Sequence, residues 1–287
     1  MPKDLRCIDC FKKTYERLLD KFLFSSSQKT EFSKYFNSLM AKDRYLPSQE
    51  LQRKLQHKLC LITGVDDLFI EEKKQCNQIA LDLYKYWQPK VIQSENPFEM
   101  ALRLSIAGNI MDYGASQSFN IQETIENVLH ADFAIDHKSL LKQRINSAKE
   151  ILYLGDNAGE IVFDKLFIEI LMHKNITYAV KGGPIINDAT ISDAFEIGMD
   201  KTANVISNGY DAPSTILEKS SQEFLDHFNS ADIIISKGQG NLEGLISLND
   251  KKIFFLLMVK CDVIAELLDV PVNSIVVYNS QFINEKN

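Results

Sequence analysis

No stretch of the 287 residues is apolar for long enough to cross a membrane; the longest unbroken run, Ile253–Val259, has the length of a strand. A basic surplus is missing too: 32 Lys and Arg stand against 39 Asp and Glu, a net charge of −7. With a pI near 5.4, generic nucleic-acid binding is not expected, because it needs a basic surface. Met1–Cys10 is charged and has no apolar core of the kind a secretory leader carries, so a cytoplasmic protein is expected. Cysteines are few and odd in number, at Cys7, Cys10, Cys60, Cys76 and Cys261, which makes a poor disulfide framework and suits a reducing compartment. Cys7-Ile8-Asp9-Cys10 is the one close pair. It reads as half a zinc site, a redox pair, or two semi-apolar positions on an opening helix. No second C-x-x-C or H-x-x-x-H supplies the remaining zinc ligands. The Gly-x-Gly-x-x-Gly dinucleotide fingerprint and the Walker Gly-Lys-Ser are absent as well.

What is present is an ordinary globular composition, 45% hydrophobic and 25% charged, sufficient for a sizeable core. As far as about Glu150 the apolar residues recur at helical spacing: Phe11, Tyr15, Leu18, Leu19, Phe22; Phe32, Phe36, Leu39, Met40; Leu51, Leu55, Leu59, Ile62. Pro47 is expected to start a helix that Gly64 ends, Pro89 to close another, and Asn96-Pro97 to open a third. The polar, glycine-bracketed break Gly108-Asn109-Ile110-Met111-Asp112-Tyr113-Gly114 interrupts this half. After Glu150 the rhythm changes. Short apolar runs (151–154, 176–180, 203–206, 233–235, 253–258, 274–278) alternate with helix-like stretches (161–172, 190–197, 222–228, 261–268), the signature of βαβ units. The expected architecture is a mostly helical domain over 1–149 and an α/β domain over 150–287, built on a mainly parallel sheet with helices on both faces.

Three expected strand ends carry unusual polar turns: Gly155-Asp156-Asn157-Ala158-Gly159-Glu160, then the stretch from Lys181-Gly182-Gly183-Pro184 to Asn187-Asp188-Ala189-Thr190, then Ser236-Lys237-Gly238-Gln239-Gly240-Asn241-Leu242-Glu243. In a doubly wound sheet the carboxyl ends of the strands share one edge, so these turns can converge on one crevice. Asp156, Asn157 and Asp188 offer the hard oxygen ligands that Mg²⁺ or Mn²⁺ prefers. Lys181 and Lys237 can neutralise an anion, and glycines at 182, 183, 238 and 240 let backbone N–H groups approach it. The bland alternative is that Asp156, Asn157 and Asp188 cap helices and the glycines only make turns. Three such turns in register favour a site.

Taken together and in this order, the three turns resemble the DUF89 family of metal-dependent damage-control phosphatases. Asp164 and Glu169, the Gly108–Gly114 segment, Lys260-Cys261 and the amino-terminal C-x-x-C of the prokaryotic-type branch extend the resemblance over almost the whole chain. It implies a helical domain attached to a three-layer α/β/α domain with a Rossmann-like sheet. It implies one divalent metal, Mn, Co, Ni or Mg, on the positions matching Asp156, Asn157 and Asp188, and a phosphate-binding lysine at Lys237. The implied activity is hydrolysis of phosphate monoesters of small metabolites, sugar phosphates or damaged phosphometabolites. On that reading Lys237 and the N–H groups of Gly238, Gly240 and Asn241 bind the phosphoryl group, with Lys181 beside them. Glu160 orients water, and Asn109 and Asp112 close over the site. Asp156 serves either as ligand alone or as a phospho-accepting nucleophile. Two rivals remain: an S-adenosylmethionine-dependent methyltransferase, and a non-catalytic regulator using Cys7 and Cys10 as a metal or redox element.

Overall fold

A computed structural model of the chain describes residue 4 and residues 6–42, 46–108 and 121–280. It begins with three helices, α1 (Arg6–Lys21), α2 (Ser26–Lys42) and α3 (Ser48–Thr63). Their apolar residues recur every three or four positions, so each helix presents one stripe. Phe11, Tyr15 and Leu19 meet Phe32, Phe36 and Leu39 and Leu51, Leu55 and Leu59 in a small core of their own. As expected, Pro47 precedes the first turn of α3, and Gly64, at φ 69°, ends it in the left-handed conformation.

The next segment holds α4 (Ile70–Gln93), α5 (Pro97–Ala107), α6 (Ile121–His130), the strand β1 (Phe133–Asp136) and α7 (Lys138–Ser147). Pro89 does not close α4; the helix runs through it to Gln93. The residue is exposed while Trp87 and Val91 are buried, so the carbonyl left without its N–H partner lies on the wet side, where water replaces the bond. Asn96 and Pro97 open α5 as expected, the Asn96 side chain accepting from the Glu99 amide. β1 was not legible in the sequence. It has four residues, half-buried and exposed in turn, and occupies a sheet edge where nothing demands an apolar run.

The remaining elements alternate: β2 (Ile151–Leu154), α8 (Glu160–Leu171), β3 (Ile176–Val180), α9 (Ile191–Glu196), β4 (Asn204–Ser207), α10 (Gln222–Ser230), β5 (Ile233–Lys237), α11 (Gly238–Leu245), β6 (Ile253–Met258), α12 (Asp262–Leu268) and β7 (Ile275–Asn279). The strands form one seven-stranded sheet in the order β1-β7-β6-β5-β2-β3-β4. β6, β5, β2, β3 and β4 are parallel; β7 runs antiparallel to β6, and β1 follows β7. Alternate strand residues face opposite layers. Tyr153, Tyr178, Ile235 and Phe254 join a core with α4, α5 and α8, whereas Leu152, Leu154, Ile234 and Phe255 join Phe224 of α10, Leu242 of α11 and Ile264 of α12. The result is the three-layer α/β/α arrangement. Residue 149, where the helical half was expected to end, falls between α7 and β2; the sheet core runs across that point, taking in Ala101, Leu104, Ile125, Leu141 and β1. From β2 the chain moves outward through β3 and β4, then returns to the other side of β2 with β5. The switch point therefore lies between β2 and β5, where such sheets bind ligands.

Candidate active site

The turn after β2 and the loop after β3 are laced together at this switch point. Ala189 N donates to Asp156 O (2.8 Å), Ala158 N donates to Asn187 O (2.9 Å), and Asn157 and Asp188 form an antiparallel bridge. This lacing brings Asp156, Asn157 and Asp188 together, all three buried. Helix capping does not account for them. The N-cap of α8 is Gly159, whose N–H is taken by Asn77 Oδ1 at 2.7 Å. The N-cap of α9 is Thr190, whose N–H goes to Asp193 Oδ2 at 2.9 Å. Asn157 Nδ2 donates to Asp156 Oδ2 (3.0 Å) and Glu160 Oε2 (3.2 Å), which turns its Oδ1 away from both carboxylates.

The turn after β5 closes the third side, and it requires a glycine. Gly238 has φ 78°, and a Cβ built there would stand 1.9 Å from Asp156 Oδ2. With no side chain in the way, the first turn of α11 approaches the Asp156 carboxylate, and the side chain of its N-cap residue, Lys237, does not cap it. Its leading N–H groups, with the positive end of the helix dipole, make an anion site. Lys181 reaches the same place: Nζ lies 3.5 Å from Asp188 Oδ2 and donates to Asn241 Oδ1 at 3.0 Å. Asn241 is a brace, its Oδ1 also accepting from Thr215 Oγ1 (2.9 Å) and its Nδ2 donating to Lys237 O (2.8 Å) and Gly155 O (3.2 Å). Ser214 Oγ holds Gly240 O at 2.8 Å, fastening the loop after β4 to the same turn.

Lys237 lies elsewhere than a phosphate-binding lysine would be expected. Its side chain is fully buried and donates to Glu160 Oε1 (2.7 Å), Asp164 Oδ1 (2.6 Å) and Ser105 O (2.8 Å), which uses all three ammonium protons. Lys181 is the cation beside Asp188 instead. Asp164 collects donors from four residues: Lys237, Ser105 Oγ (3.0 Å), Tyr153 (2.9 Å) and Tyr178 (2.8 Å). Tyr153 and Tyr178 are register partners on β2 and β3, their rings stacked 5.3 Å apart. Neither they nor Ser105 nor Asn77 stood out in the sequence. The signal available was a hydroxyl at the centre of two otherwise apolar strands, where a partner is obligatory. Asn109 and Asp112 lie outside the described residues.

Among the described residues, Asp156, Glu160, Asp164 and Asp188 are buried beside two buried ammonium groups, Lys181 and Lys237, with Lys260 as a further cation near Asp156. Burial first, and then the neighbouring Glu160 and Asp188 carboxylates, push the Asp156 carboxyl well above the usual carboxylate range, with Lys181 and Lys260 opposing. Burial disfavours a charged Lys237, but Asp164 and Glu160 outweigh it and hold the ammonium protonated. Among the described residues no three His, Cys, Asp or Glu side chains close into a metal cage. The set that fits a hard divalent cation is two carboxylates and one amide oxygen, with the remaining positions left to water and substrate, a composition typical of Mg²⁺-like ions. A dication would also balance four buried carboxylates against two ammonium groups.

Comparison with known proteins identifies the family. Residues 4–276 match the model of the damage-control phosphatase ARMT1-like domain. The damage-control phosphatase of Pyrococcus horikoshii is 38% identical over 223 residues, covering 76% of this chain and 77% of its own. A protein named damage-control phosphatase from Archaeoglobus fulgidus is 33% identical over 231 residues, 79% and 80% of the two chains. The crystal structure of a DUF89 family protein from P. horikoshii superposes with a TM-score of 0.88 at 31% identity, over 98% of this chain and all of the other. Sequence and fold thus agree, and the chain belongs to the DUF89 family with the damage-control phosphatase ARMT1-like domain.

Proposed function

We propose that this chain is a metal-dependent phosphatase that hydrolyses phosphate monoesters of small metabolites, sugar phosphates or damaged phosphometabolites, in the cytoplasm. The observation that carries the reading is the meeting, at the switch point, of two buried carboxylates and an amide with a buried lysine and the N-terminus of α11. The names of the P. horikoshii and A. fulgidus relatives support the direction of the chemistry.

Asp156, Asn157 and Asp188 would hold one divalent cation, Mn, Co, Ni or Mg. Such a cation, when bound, polarises a phosphoryl oxygen and makes water more acidic. The chain's own groups do the rest. The N–H groups at the start of α11 donate to the non-bridging oxygens, and Lys181 Nζ, beside Asp188, adds a positive charge to the same group. Asn241 holds Lys181 and the α11 turn in place. Lys237 acts from behind: it pins Glu160, and Glu160 in turn fixes the Asn157 amide nitrogen, which leaves the amide oxygen to serve as the ligand a cation would use. Its part is positioning, and Lys181 takes the place expected for it at the phosphate.

The test begins with chelator-treated protein, p-nitrophenyl phosphate and a panel of sugar phosphates. Adding Mn²⁺, Co²⁺, Ni²⁺ or Mg²⁺ is expected to restore phosphate release, and Asp156→Asn and Asp188→Asn to abolish it. The reading is lost if wild type releases nothing with any of these metals, or if the variants match wild type. Acid-quenching a turnover mixture made with substrate labelled in its phosphoryl group distinguishes the two nucleophiles: label stays on the protein only if the Asp156 carboxylate, rather than water, attacks phosphorus.

A further inference from the structure

The cysteine pair at the start of α1 is not used by the hydrolytic site. Cys7 and Cys10 occupy its first two turns, and both are free thiols, Cys7 half-buried and Cys10 exposed. The buried stripe of α1 is Phe11, Tyr15 and Leu19, with Cys7 at its margin and Cys10 off it. Packing therefore does not account for Cys10. A closed metal site does not either, because no group of three Cys, His, Asp or Glu capable of holding a metal ion occurs among the described residues.

Geometry does suit a disulfide. Residues three apart on a helix have Cα atoms about 5 Å apart, from the rise and radius of the helix, inside the roughly 4.4–6.8 Å that a disulfide spans. Cys261 is the third thiol of the region, in electrostatic contact with Cys7. Its sulfur is half-buried and accepts from Gln239 Nε2 at 3.3 Å, whereas Cys10 is exposed and is the more accessible sulfur. Around Cys7 lie Ser48, hydrogen-bonded to the thiol, and the carboxylates Glu243 and Asp4. Arg6, next in sequence, clamps this end of α1 to α12 through Glu266 at 2.6 and 2.7 Å.

We propose that Cys7 and Cys10 form a thiol–disulfide exchange site whose co-reactant is a low-molecular-weight disulfide. The Cys10 thiolate attacks one sulfur of the small disulfide, forming a mixed disulfide and releasing one small thiolate. Cys7, held as a thiol at rest by burial, then gives up its proton, and its sulfur attacks the Cys10 sulfur. The mixed disulfide breaks and the second small thiolate leaves. Two protein thiols and one small disulfide become one Cys7–Cys10 disulfide and two small thiols, with the protons of both cysteines ending on them.

The site is independent of the phosphatase reading and is tested without an activity assay. Fully reduced full-length protein is incubated with oxidised glutathione under native conditions, its remaining thiols are alkylated, and it is digested with trypsin. The expected product is the 7–12 peptide lighter by two hydrogens and unalkylated, while Cys60, Cys76 and Cys261 remain alkylated. Cys7→Ser is expected to stop at a stable Cys10–glutathione adduct, and Cys10→Ser to leave Cys7 alkylated. The proposal is overturned if both thiols of the wild-type peptide stay alkylated, if Cys7 is found bonded to Cys261, or if Cys7→Ser leaves Cys10 unreacted. Stoichiometric zinc that shields both thiols in the reduced protein would overturn it too.

Discussion

Replacing Lys237 by Met removes the only cation in the buried trio with Glu160 and Asp164 while nearly keeping its volume. All three side chains have no solvent exposure, so water cannot stand in for the ammonium. Breaking a buried ion pair by deleting one partner costs about 3–5 kcal/mol, against less than about 1 kcal/mol for an exposed pair. Three charge-assisted hydrogen bonds vanish with it, which places the loss at the upper part of that range. Asp164 keeps Ser105, Tyr153 and Tyr178 as donors, and this stops the loss from growing further. The effect depends on pH with a definite sign. Burial, resisted by Lys237, raises the Asp164 carboxyl in the fold above its ordinary value; without the lysine it rises further. A group raised in the folded state contributes stability below its unfolded pKa, and that contribution is lost as pH rises through the folded pKa. Lys237→Met is therefore most destabilising at pH 8 and less so near pH 5. Urea unfolding of metal-free wild type and variant, followed by circular dichroism at both pH values, measures the difference. A loss under about 1 kcal/mol at pH 8, the range of exposed pairs, would refute the account of Lys237 as the balancing charge of a dry network. An equal loss at both pH values would refute it as well.

Further outcomes follow from the same geometry. Gly238→Ala combines a left-handed φ, worth roughly 1–2 kcal/mol, with a methyl placed on the Asp156 carboxylate; it should lower the melting temperature and weaken metal-induced stabilisation, whereas Gly64→Ala, in open space, should do only the first. Saturating Mn²⁺ at about one hundred times its dissociation constant should stabilise wild type by roughly 2.7 kcal/mol; Asp188→Asn should abolish that shift in thermal melts while leaving the metal-free fold intact. Asn77→Ala strips the acceptor from the Gly159 amide in the turn that carries Asp156 and Asn157 and should cost about 1–2 kcal/mol in urea unfolding. Arg6→Ala, at a pair whose side chains are 49% and 64% exposed, should leave the urea midpoint close to that of wild type.

Much of this molecule is legible in one dimension because strand and helix periods are local properties. Ile253–Met258 is almost wholly buried and reads as an unbroken apolar run, and Ile176–Val180 reads as a run of β-formers interrupted only by the half-buried Thr177; both were bounded correctly. Phe133–Asp136 was hidden because an edge strand is under no such pressure. The helix Gly238–Leu245 was hidden because Gly238, Gly240 and Asn241 make its first turn look like loop; they are there for the approach to Asp156 and the bracing of Lys181. Of the site residues, Asp156, Asn157 and Asp188 were legible as oxygen-rich turns at strand ends, and the structure brings them together. The roles of the two lysines were not. Each follows a strand and precedes a glycine, and only burial separates Lys237, with its protons spent on Glu160, Asp164 and Ser105, from Lys181 beside Asp188.

The sequence by itself determined the strands of the sheet other than the edge strand Phe133–Asp136, and which polar turns follow them, since hydrophobic period and turn chemistry are written in consecutive residues. The tertiary structure decided which charges face each other. Side chains more than fifty residues apart, such as Ser105, Asp164 and Lys237 or Lys181 and Asn241, acquire their partners only when the strands take the order β5-β2-β3. In a dry interior the partner determines whether a lysine braces the wall or is left to meet a substrate.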